Sequence, residues 1–160
     1  MDKELIAEGY AFSEWMRNVT PEELAKYQSV SVMVNLRTIE VSSETQSLFV
    51  EFDIGKQFCN FMGFVHGGII ATMLDECIGA TAFTRVGRGF RGTLKTAIEY
   101  HRPIPAGKVH GKGRVVAETD RDLTIEAQLF DLEGNLLADA TSTVRYGAVR
   151  VRPTEVPAEA

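Results

Sequence analysis

A run of apolar residues near the middle of the chain places the strongest limit on its fold. Residues 67–83 follow His66 and read GGIIATMLDECIGATAF, a segment long enough for one extended helix. At 3.6 residues per turn, large apolar side chains fall on nearly every side of that helix. These side chains are Ile69, Ile70, Met73, Leu74, Cys77, Ile78 and Phe83. A helix that is apolar all round is buried, so the rest of the chain is expected to surround it.

The segments on either side of this helix alternate apolar and polar residues, which is typical of strands with one buried face. Two such segments precede the helix and four follow it, at residues 30–36, 46–52, 94–100, 109–117, 123–129 and 136–146. Because the last four have short connections, they are expected to be antiparallel neighbours. This order predicts an α+β fold in which an antiparallel sheet of about six strands curls around the helix.

The two ends of the chain differ from this central region. Residues 1–28 are predicted to form an N-terminal helical extension, with a helix start at TPEE, where Thr20 is the cap and Pro21 the first helical position. Residues 29–148 are predicted to form the main domain. Residues 149–160 are rich in proline and glutamate, which predicts a flexible tail.

Length and composition indicate a single ordinary globular domain. The chain has 160 residues, of which 44% are hydrophobic and 24% charged. No apolar window is long enough for a membrane span, and the first residues do not resemble a signal peptide. Two cysteines without metal-ligand spacing favour a reduced, cytoplasmic location.

Basic residues are concentrated between positions 85 and 114, although the whole chain carries a net charge of −5. The only acidic residue in that segment is Glu99, and the basic ones are Arg85, Arg88, Arg91, Lys95, Arg102, Lys108, Lys112 and Arg114. A local basic zone on an acidic protein favours a small anionic ligand over nucleic acid, which usually binds a domain that is basic overall. The alternative is a solvated basic surface without a ligand.

The central helix carries two candidate functional features. Asp75 is expected to share a face with Ala71, Ile78, Gly79 and Ala82, where a carboxylate is either hydrogen-bonded structure or part of a site. The sequence His66-Gly67-Gly68 stands where the helix begins, and free N–H groups at a helix start favour developing negative charge. Such a start has the chemistry of an oxyanion hole. The alternative is that the two glycines only allow the loop to turn at this point.

The combined spacing is more specific than either feature alone. Asn60 precedes His66 by six positions, Asp75 follows, and the strand sequence TLKTAIEYHRP comes next. In this pattern, over roughly residues 30–146, the chain resembles the hotdog-fold acyl-CoA thioesterases. The branch it resembles is the phenylacetate-degradation type of the 4-hydroxybenzoyl-CoA thioesterase superfamily. The resemblance implies a sheet wrapped around a central helix, and a homodimer as the smallest active unit.

The resemblance also assigns roles to single residues. The Gly67 N–H would bind the thioester oxygen, and Asp75 would act as general base or nucleophile. Asn60 would help to place the water or the carbonyl, and Thr93 would assist that water. His66 would support the loop. The residues expected to contact the acyl-CoA substrate are Gly68, Phe61, Met62, Arg91 and Lys95.

The expected chemistry needs neither a metal nor a separate cofactor, because coenzyme A is part of the substrate. A thioester carbonyl is electrophilic and a thiolate leaves readily, so a carboxylate with a few hydrogen-bond donors suffices. The sequence has no G-x-S-x-G elbow and no clustered His/Cys ligands. Cys77 is interpreted as core packing.

Two other functions remain open from the sequence. A hotdog acyl-thioester hydratase or dehydratase would use His66 and Asp75 as an acid–base pair. A non-catalytic acyl-CoA-binding domain would use neither. Gly67 and Asp75 are eight residues apart, about 12 Å along a helix, so active sites shared between two chains are expected. The preferred acyl group, and the choice between a dimer and a dimer of dimers, are left open.

Overall fold

In the computed structural model, one sheet of six antiparallel strands packs against one long helix. The structure describes residues 29–42 and 44–147, together with positions 18, 20, 23 and 26. The elements are α1 (Val30–Met33), β1 (Arg37–Ser42), β2 (Ser47–Ile54), α2 (Gly67–Val86), β3 (Phe90–Tyr100), β4 (Gly107–Glu118), β5 (Asp122–Phe130) and β6 (Leu136–Tyr146). The predicted α+β class, with a hotdog arrangement of sheet and helix, is confirmed.

The order of strands in the sheet is β1-β2-β4-β5-β6-β3, so β3 forms one edge. The last four strands are antiparallel neighbours in the sheet, as predicted, but β3 pairs with β6 and not with β4, the strand that follows it in sequence. The connection at residues 101–106 is short, but six extended residues reach about 20 Å. That length is enough to cross three strand spacings of roughly 4.8 Å each.

The core lies between the inner face of the sheet and the buried side of α2. The strand β5 shows the expected alternation, with fully buried residues at every second position: Leu123, Ile125, Ala127 and Leu129. The helix contributes a matching set of fully buried residues: Met73, Leu74, Cys77, Ile78 and Ala82. Burial of such side chains supplies most of the favourable free energy of folding, at about 1.5–3 kcal/mol for each large one.

Two glycines in β4 allow the helix to approach the sheet closely. A Cβ atom built on Gly113 would lie 2.0 Å from the Thr81 hydroxyl oxygen, and one on Gly111 would lie 2.5 Å from the Cys77 sulfur. Both distances are far below van der Waals contact. The glycines that weaken the strand signal in the sequence are therefore the positions where α2 rests on β4.

The segment at residues 30–36 is not the strand that its alternation predicts. Val30–Met33 forms the single helical turn α1, and the strand β1 begins only at Arg37. Asn35 ends the turn in a left-handed conformation with φ of 47°, and its side-chain amide donates to the Asp53 carbonyl. Asparagine adopts this conformation more readily than most residues, so it turns the chain between α1 and β1.

The predicted N-terminal helix and the predicted flexible tail at residues 149–160 lie outside the described residues, apart from four positions of the former. Among those four, Thr20 and Glu23 exchange the two hydrogen bonds of a capping box, at 2.9 and 3.2 Å. The bond from the Thr20 N–H is the main cause of a lowered pKa at the Glu23 carboxyl. No helix in the described part of the chain is long and apolar enough to cross a membrane.

Candidate active site

The start of α2 presents an N–H group that the helix itself cannot use. His66 is the N-cap, and its Nδ1 atom accepts a hydrogen bond of 3.2 Å from the Gly68 N–H. Gly67 is the first helical residue, so its own N–H has no acceptor within the helix. No acceptor for it occurs among the described residues either. His66 therefore holds the first turn in place, while the Gly67 N–H is available to a ligand at the positive end of the helix dipole.

The loop before α2 is ordered by Asn60. The side-chain oxygen of Asn60 accepts hydrogen bonds from the Met62 and Phe64 N–H groups, at 3.0 and 3.2 Å. The Asn60 N–H in turn donates to the Phe64 carbonyl at 2.7 Å. Because the oxygen is engaged, the side-chain NH₂ group is the part of Asn60 that could donate to a substrate carbonyl or a water.

Asp75 and Thr93 meet although they are 18 residues apart. The Thr93 hydroxyl donates to an Asp75 carboxylate oxygen over 3.3 Å, linking the middle of α2 to the edge strand β3. The register of β3 against β6 shifts on both sides of Thr93. Such bulges redirect side chains and are frequent next to active sites.

Asp75 is exposed in the single chain, whereas the sequence suggests a carboxylate within a buried helix. The four residues expected to share a face with Asp75 also differ in their burial. Ile78 and Ala82 are fully buried in the core, while Ala71 and Gly79 are only partly covered. Residues i+3 and i+7 lie to one side of Asp75, and that side turns towards the sheet. The carboxylate thus lies at the border between the core-facing side of α2 and its open side.

The neighbouring carboxylate, Glu76, has a different environment from Asp75. Glu76 is half-buried and accepts a hydrogen bond of 2.5 Å from the Ser31 hydroxyl of α1. This bond fixes α1 against α2. Of the two adjacent acidic residues, Glu76 is thus engaged in structure, and Asp75 is open to solvent and to a substrate.

Tyr100 also belongs to the site, although the sequence gives it no separate role. Its hydroxyl donates to the Gly67 carbonyl at 3.3 Å, so it helps to fix the first peptide of α2 from the end of β3. The signal that could have identified it is its position in the strand sequence TLKTAIEYHRP, seven residues after Thr93.

Large apolar side chains are exposed in the loop before α2 and along β3. Phe61 is 98% exposed, and Met62, Leu94 and Tyr100 are each more than half exposed. Gly68, a predicted substrate-contact residue in the first turn of α2, is exposed as well. Exposed large apolar side chains are typical of interaction surfaces when they lie together.

Ion pairs neutralise part of the basic zone predicted at residues 85–114. Three of its members are ion-paired: Arg85 with Glu118, Lys108 with Glu51 and Arg114 with Glu126. Lys108 is the main cause of a lowered pKa at the Glu51 carboxyl.

The two predicted substrate-binding cations, Arg91 and Lys95, lie on β3. Arg91 is exposed and donates to the Gly147 carbonyl. Lys95 pairs in register with Thr143, next to the buried Val144 that pairs with Thr93. Thr143 and Val144 are neighbours on β6, so they point to opposite faces of the sheet. Their partners Lys95 and Thr93 therefore lie on opposite faces as well.

Cys77 does not contribute a reactive thiol. It is fully buried, and burial, together with the charge of Glu76, raises the pKa of its thiol far above the ordinary value. A thiol in this setting stays protonated and packs as a small apolar group, as interpreted from the sequence.

Comparison with known proteins agrees with this fold. The sequence model of the thioesterase superfamily matches residues 62–138, from the loop before α2 to the start of β6. Over these residues the chain is similar to the thioesterase superfamily, and the match supports a thioester hydrolase. A sequence comparison with curated proteins found no match.

Several solved structures share the fold. A phenylacetic acid degradation-related protein from Ralstonia eutropha has a TM-score of 0.69 at 23% identity, covering 78% of this chain and 98% of its own. The PaaI protein of the Escherichia coli phenylacetic acid degradation operon has a TM-score of 0.69 at 13% identity, covering 87% and 96%. A Streptococcus mutans protein with bound acetyl-CoA has a TM-score of 0.65 at 24% identity, covering 78% and 98%.

Proposed function

We propose that this protein hydrolyses acyl-CoA thioesters to a free acid and coenzyme A. The observation that carries the proposal is the exposed Asp75 carboxylate, which receives a hydrogen bond from the Thr93 hydroxyl. The thioesterase-superfamily match and the acetyl-CoA bound to the Streptococcus mutans protein support an acyl-CoA substrate. The acyl group itself is left open.

In the proposed reaction, Asp75 acts on the carbonyl carbon of the thioester in one of two ways. As a general base, it takes a proton from a water whose oxygen attacks that carbon. As a nucleophile, its carboxylate attacks directly and forms a mixed anhydride that water then hydrolyses. In both cases the carbon–sulfur bond breaks, and the thiolate of coenzyme A leaves and takes up a proton. No metal or separate cofactor takes part in either scheme.

Hydrogen-bond donors would stabilise the negative charge that develops on the carbonyl oxygen. The Gly67 N–H has no acceptor among the described residues and lies at the positive end of α2, so it is the proposed oxyanion donor. The free NH₂ of Asn60 would be a second donor, or would hold the water. His66 would act only by capping the helix, since its Nδ1 already accepts from Gly68.

Each active site is proposed to combine residues from two chains. The helix α2 is unbroken from Gly67 to Val86, so Gly67 and Asp75 are about 12 Å apart along its axis. A thioester carbon must lie about 3 Å from both the oxyanion donor and the attacking group, so one chain does not supply both. A two-fold dimer would bring Gly67 of one chain towards Asp75 of the other.

The edge strand and the exposed apolar side chains support such a dimer. The strand β3 has 11 residues and pairs only with β6 among the described strands, which makes it suitable for pairing with a second copy. The exposed side chains of Phe61, Met62 and Leu94 would be covered in the same step. Exposed Arg91, at the start of β3, is the proposed contact for a coenzyme A phosphate.

Exchanging the two neighbouring carboxylates for amides tests the proposal. Asp75→Asn is expected to leave the protein folded and to lower kcat for thiol release by at least about 10²-fold. Glu76→Gln is the matched control, because it keeps an acceptor for Ser31 and is expected to keep most of the activity. If Asp75→Asn retains more than about a tenth of the wild-type kcat, Asp75 is not the catalytic carboxylate.

The same preparations distinguish the other functions. Hydration of an enoyl-CoA without release of thiol would identify a hydratase. Binding of acyl-CoA by the wild-type protein, with no turnover of any thioester in a chemically varied panel, would identify a binding domain.

A further inference from the structure

Three side chains with metal-ligand chemistry meet on the sheet, apart from the candidate active site. Glu99 is the second-last residue of β3, His101 follows the end of that strand, and Asp139 lies on β6. One ligand atom from each, two carboxylate oxygens and an imidazole nitrogen, lie within 4.8 Å of one another. His101 Nε2 is 2.5 Å from an Asp139 carboxylate oxygen.

The sheet register makes this cluster electrostatically unusual. Glu99 and Asp139 are direct cross-strand partners in the pairing of β3 with β6. Like charges directly opposite each other in an antiparallel pair are destabilising. Glu99 has no ion pair or hydrogen bond to its side chain among the residues that the structure describes, and the group that contacts Asp139 is the His101 imidazole.

We propose that Glu99, His101 and Asp139 bind a divalent transition-metal ion of the zinc class. Imidazole nitrogen combined with carboxylate oxygen is a donor set that suits Zn²⁺ and its neighbours, whereas Mg²⁺ and Ca²⁺ prefer oxygen alone. The ion would replace any proton shared by His101 and Asp139 and would neutralise both carboxylates. Water would complete its coordination.

The geometry fits one ion with small side-chain adjustments. Metal bonds of about 2.1 Å place two ligands on one ion at most about 4.2 Å apart. The ligand atoms already lie within 4.8 Å of one another, and Glu99 and His101 are both exposed, so rotation of their side chains can bring the three atoms onto one ion. The ion would join β3 to β6 beside Tyr100, the residue whose hydroxyl holds the first peptide of α2.

A second histidine on the sheet shows the contrasting arrangement. His110 lies 3.5 Å from a Glu51 carboxylate oxygen, but the Lys108 ammonium already contacts the other oxygen of that carboxylate at 2.9 Å. The cluster around His110 thus contains its own cation and a single carboxylate. It provides a matched control for a site that depends on two carboxylates and no resident cation.

Calorimetric titration of chelator-treated full-length protein with ZnCl₂ tests the proposal, with thermal melting in parallel. The expected result is one ion per chain at this site, and a rise in Tm of about 5 °C at saturation. His101→Gln and Glu99→Gln are each expected to lower the affinity at least about 10-fold and to abolish the rise. His110→Gln is expected to bind as the wild type does. Absence of Zn²⁺ binding by the wild type overturns the proposal, and so does binding that both His101→Gln and Glu99→Gln retain.

Discussion

The Thr93 hydroxyl donates to the Asp75 carboxylate across 3.3 Å, and this contact joins the central helix to the edge strand of the sheet. Asp75 is exposed, so water competes for its oxygens, and a single donor from β3 favours one orientation of the carboxylate. The shifts of register around Thr93 direct its side chain towards α2. The bulge in β3 therefore helps to orient the Asp75 carboxylate at the candidate active site.

Replacing Thr93 by valine is expected to lower kcat by about 10- to 100-fold. The substitution removes a hydrogen bond to a charged group, which is worth about 1.5–3 kcal/mol, and it keeps the shape of the side chain. Steady-state assay of thiol release measures the change. Thr93→Ser retains the hydroxyl and is expected to stay within a few-fold of the wild type. Equal activity of the valine and serine variants would mean that the contact has no part in catalysis.

The salt dependence of KM tests the role of Arg91. If its guanidinium contacts a coenzyme A phosphate at the surface, KM rises with ionic strength while kcat holds, because exposed charges are screened. Arg91→Met is expected to raise KM and to remove most of that salt dependence.

The control for this experiment is Lys108→Met, which removes a cation that Glu51 already pairs. This variant should keep the wild-type response to salt. A KM that does not change between low and high salt in the wild type would show that Arg91 is only a solvated surface residue.

Gly113→Ala is expected to destabilise the fold. The added methyl group would lie 2.0 Å from the Thr81 hydroxyl oxygen and 3.1 Å from the Cys77 carbonyl, and that hydroxyl is buried and bonded to that carbonyl. Overpacking of this kind costs about 1–3 kcal/mol, which lowers Tm by roughly 5–10 °C in a protein of this size.

Thermal melting compares this variant with Gly147→Ala, where the methyl group meets nothing within 4 Å. The control is expected to melt within about 2 °C of the wild type. Adding Thr81→Ala to Gly113→Ala removes the 2.0 Å clash with the hydroxyl oxygen and should restore part of the loss. A Gly113→Ala variant as stable as the control would indicate that α2 shifts away from β4 at no measurable cost.

The sequence predicts those elements whose pattern depends on burial. The alternation at residues 123–129 and the apolar run after His66 correspond closely to β5 and α2, because both follow from which side chains face the core. The segment at residues 30–36 alternates as well, but its backbone turns at Asn35, which adopts a positive φ. The alternation of apolar and polar residues does not predict that turn of the backbone.

The site is less accessible to sequence reasoning, because its contacts join distant positions. The spacing from Asn60 to Asp75 identifies the helix start and the carboxylate. It contains no information on the bond from Thr93 to Asp75, nor on the one from Tyr100 to Gly67, since both depend on β3 lying beside α2. The ion pair of Lys108 with Glu51 is likewise decided by the pairing of β2 with β4.

Complementation between two inactive variants tests whether each active site uses two chains. Asn60→Ala and Asp75→Asn are each expected to be inactive alone. When they are unfolded and refolded together in equal amounts, random pairing makes about half of the dimers mixed. A mixed dimer has one site with both lesions and one intact site, so about a quarter of the wild-type activity should return. This holds only if Asn60 and the Gly67 N–H act across the interface from Asp75.

Sites contained within single chains give the opposite result, because every site then carries a lesion whichever chains pair. Mass tagging of the two variants measures the fraction of mixed dimers, so a failure to pair is distinguished from a failure to complement. Asp75→Asn refolded with Thr93→Val is the matched control. Thr93 contacts Asp75 of its own chain, so both lesions fall on the same side of the interface. A mixed dimer of that pair has no intact site, and activity should not rise above that of the Thr93→Val chains alone. Mixed Asn60→Ala and Asp75→Asn dimers that form in the expected proportion but regain no activity would exclude the two-chain site.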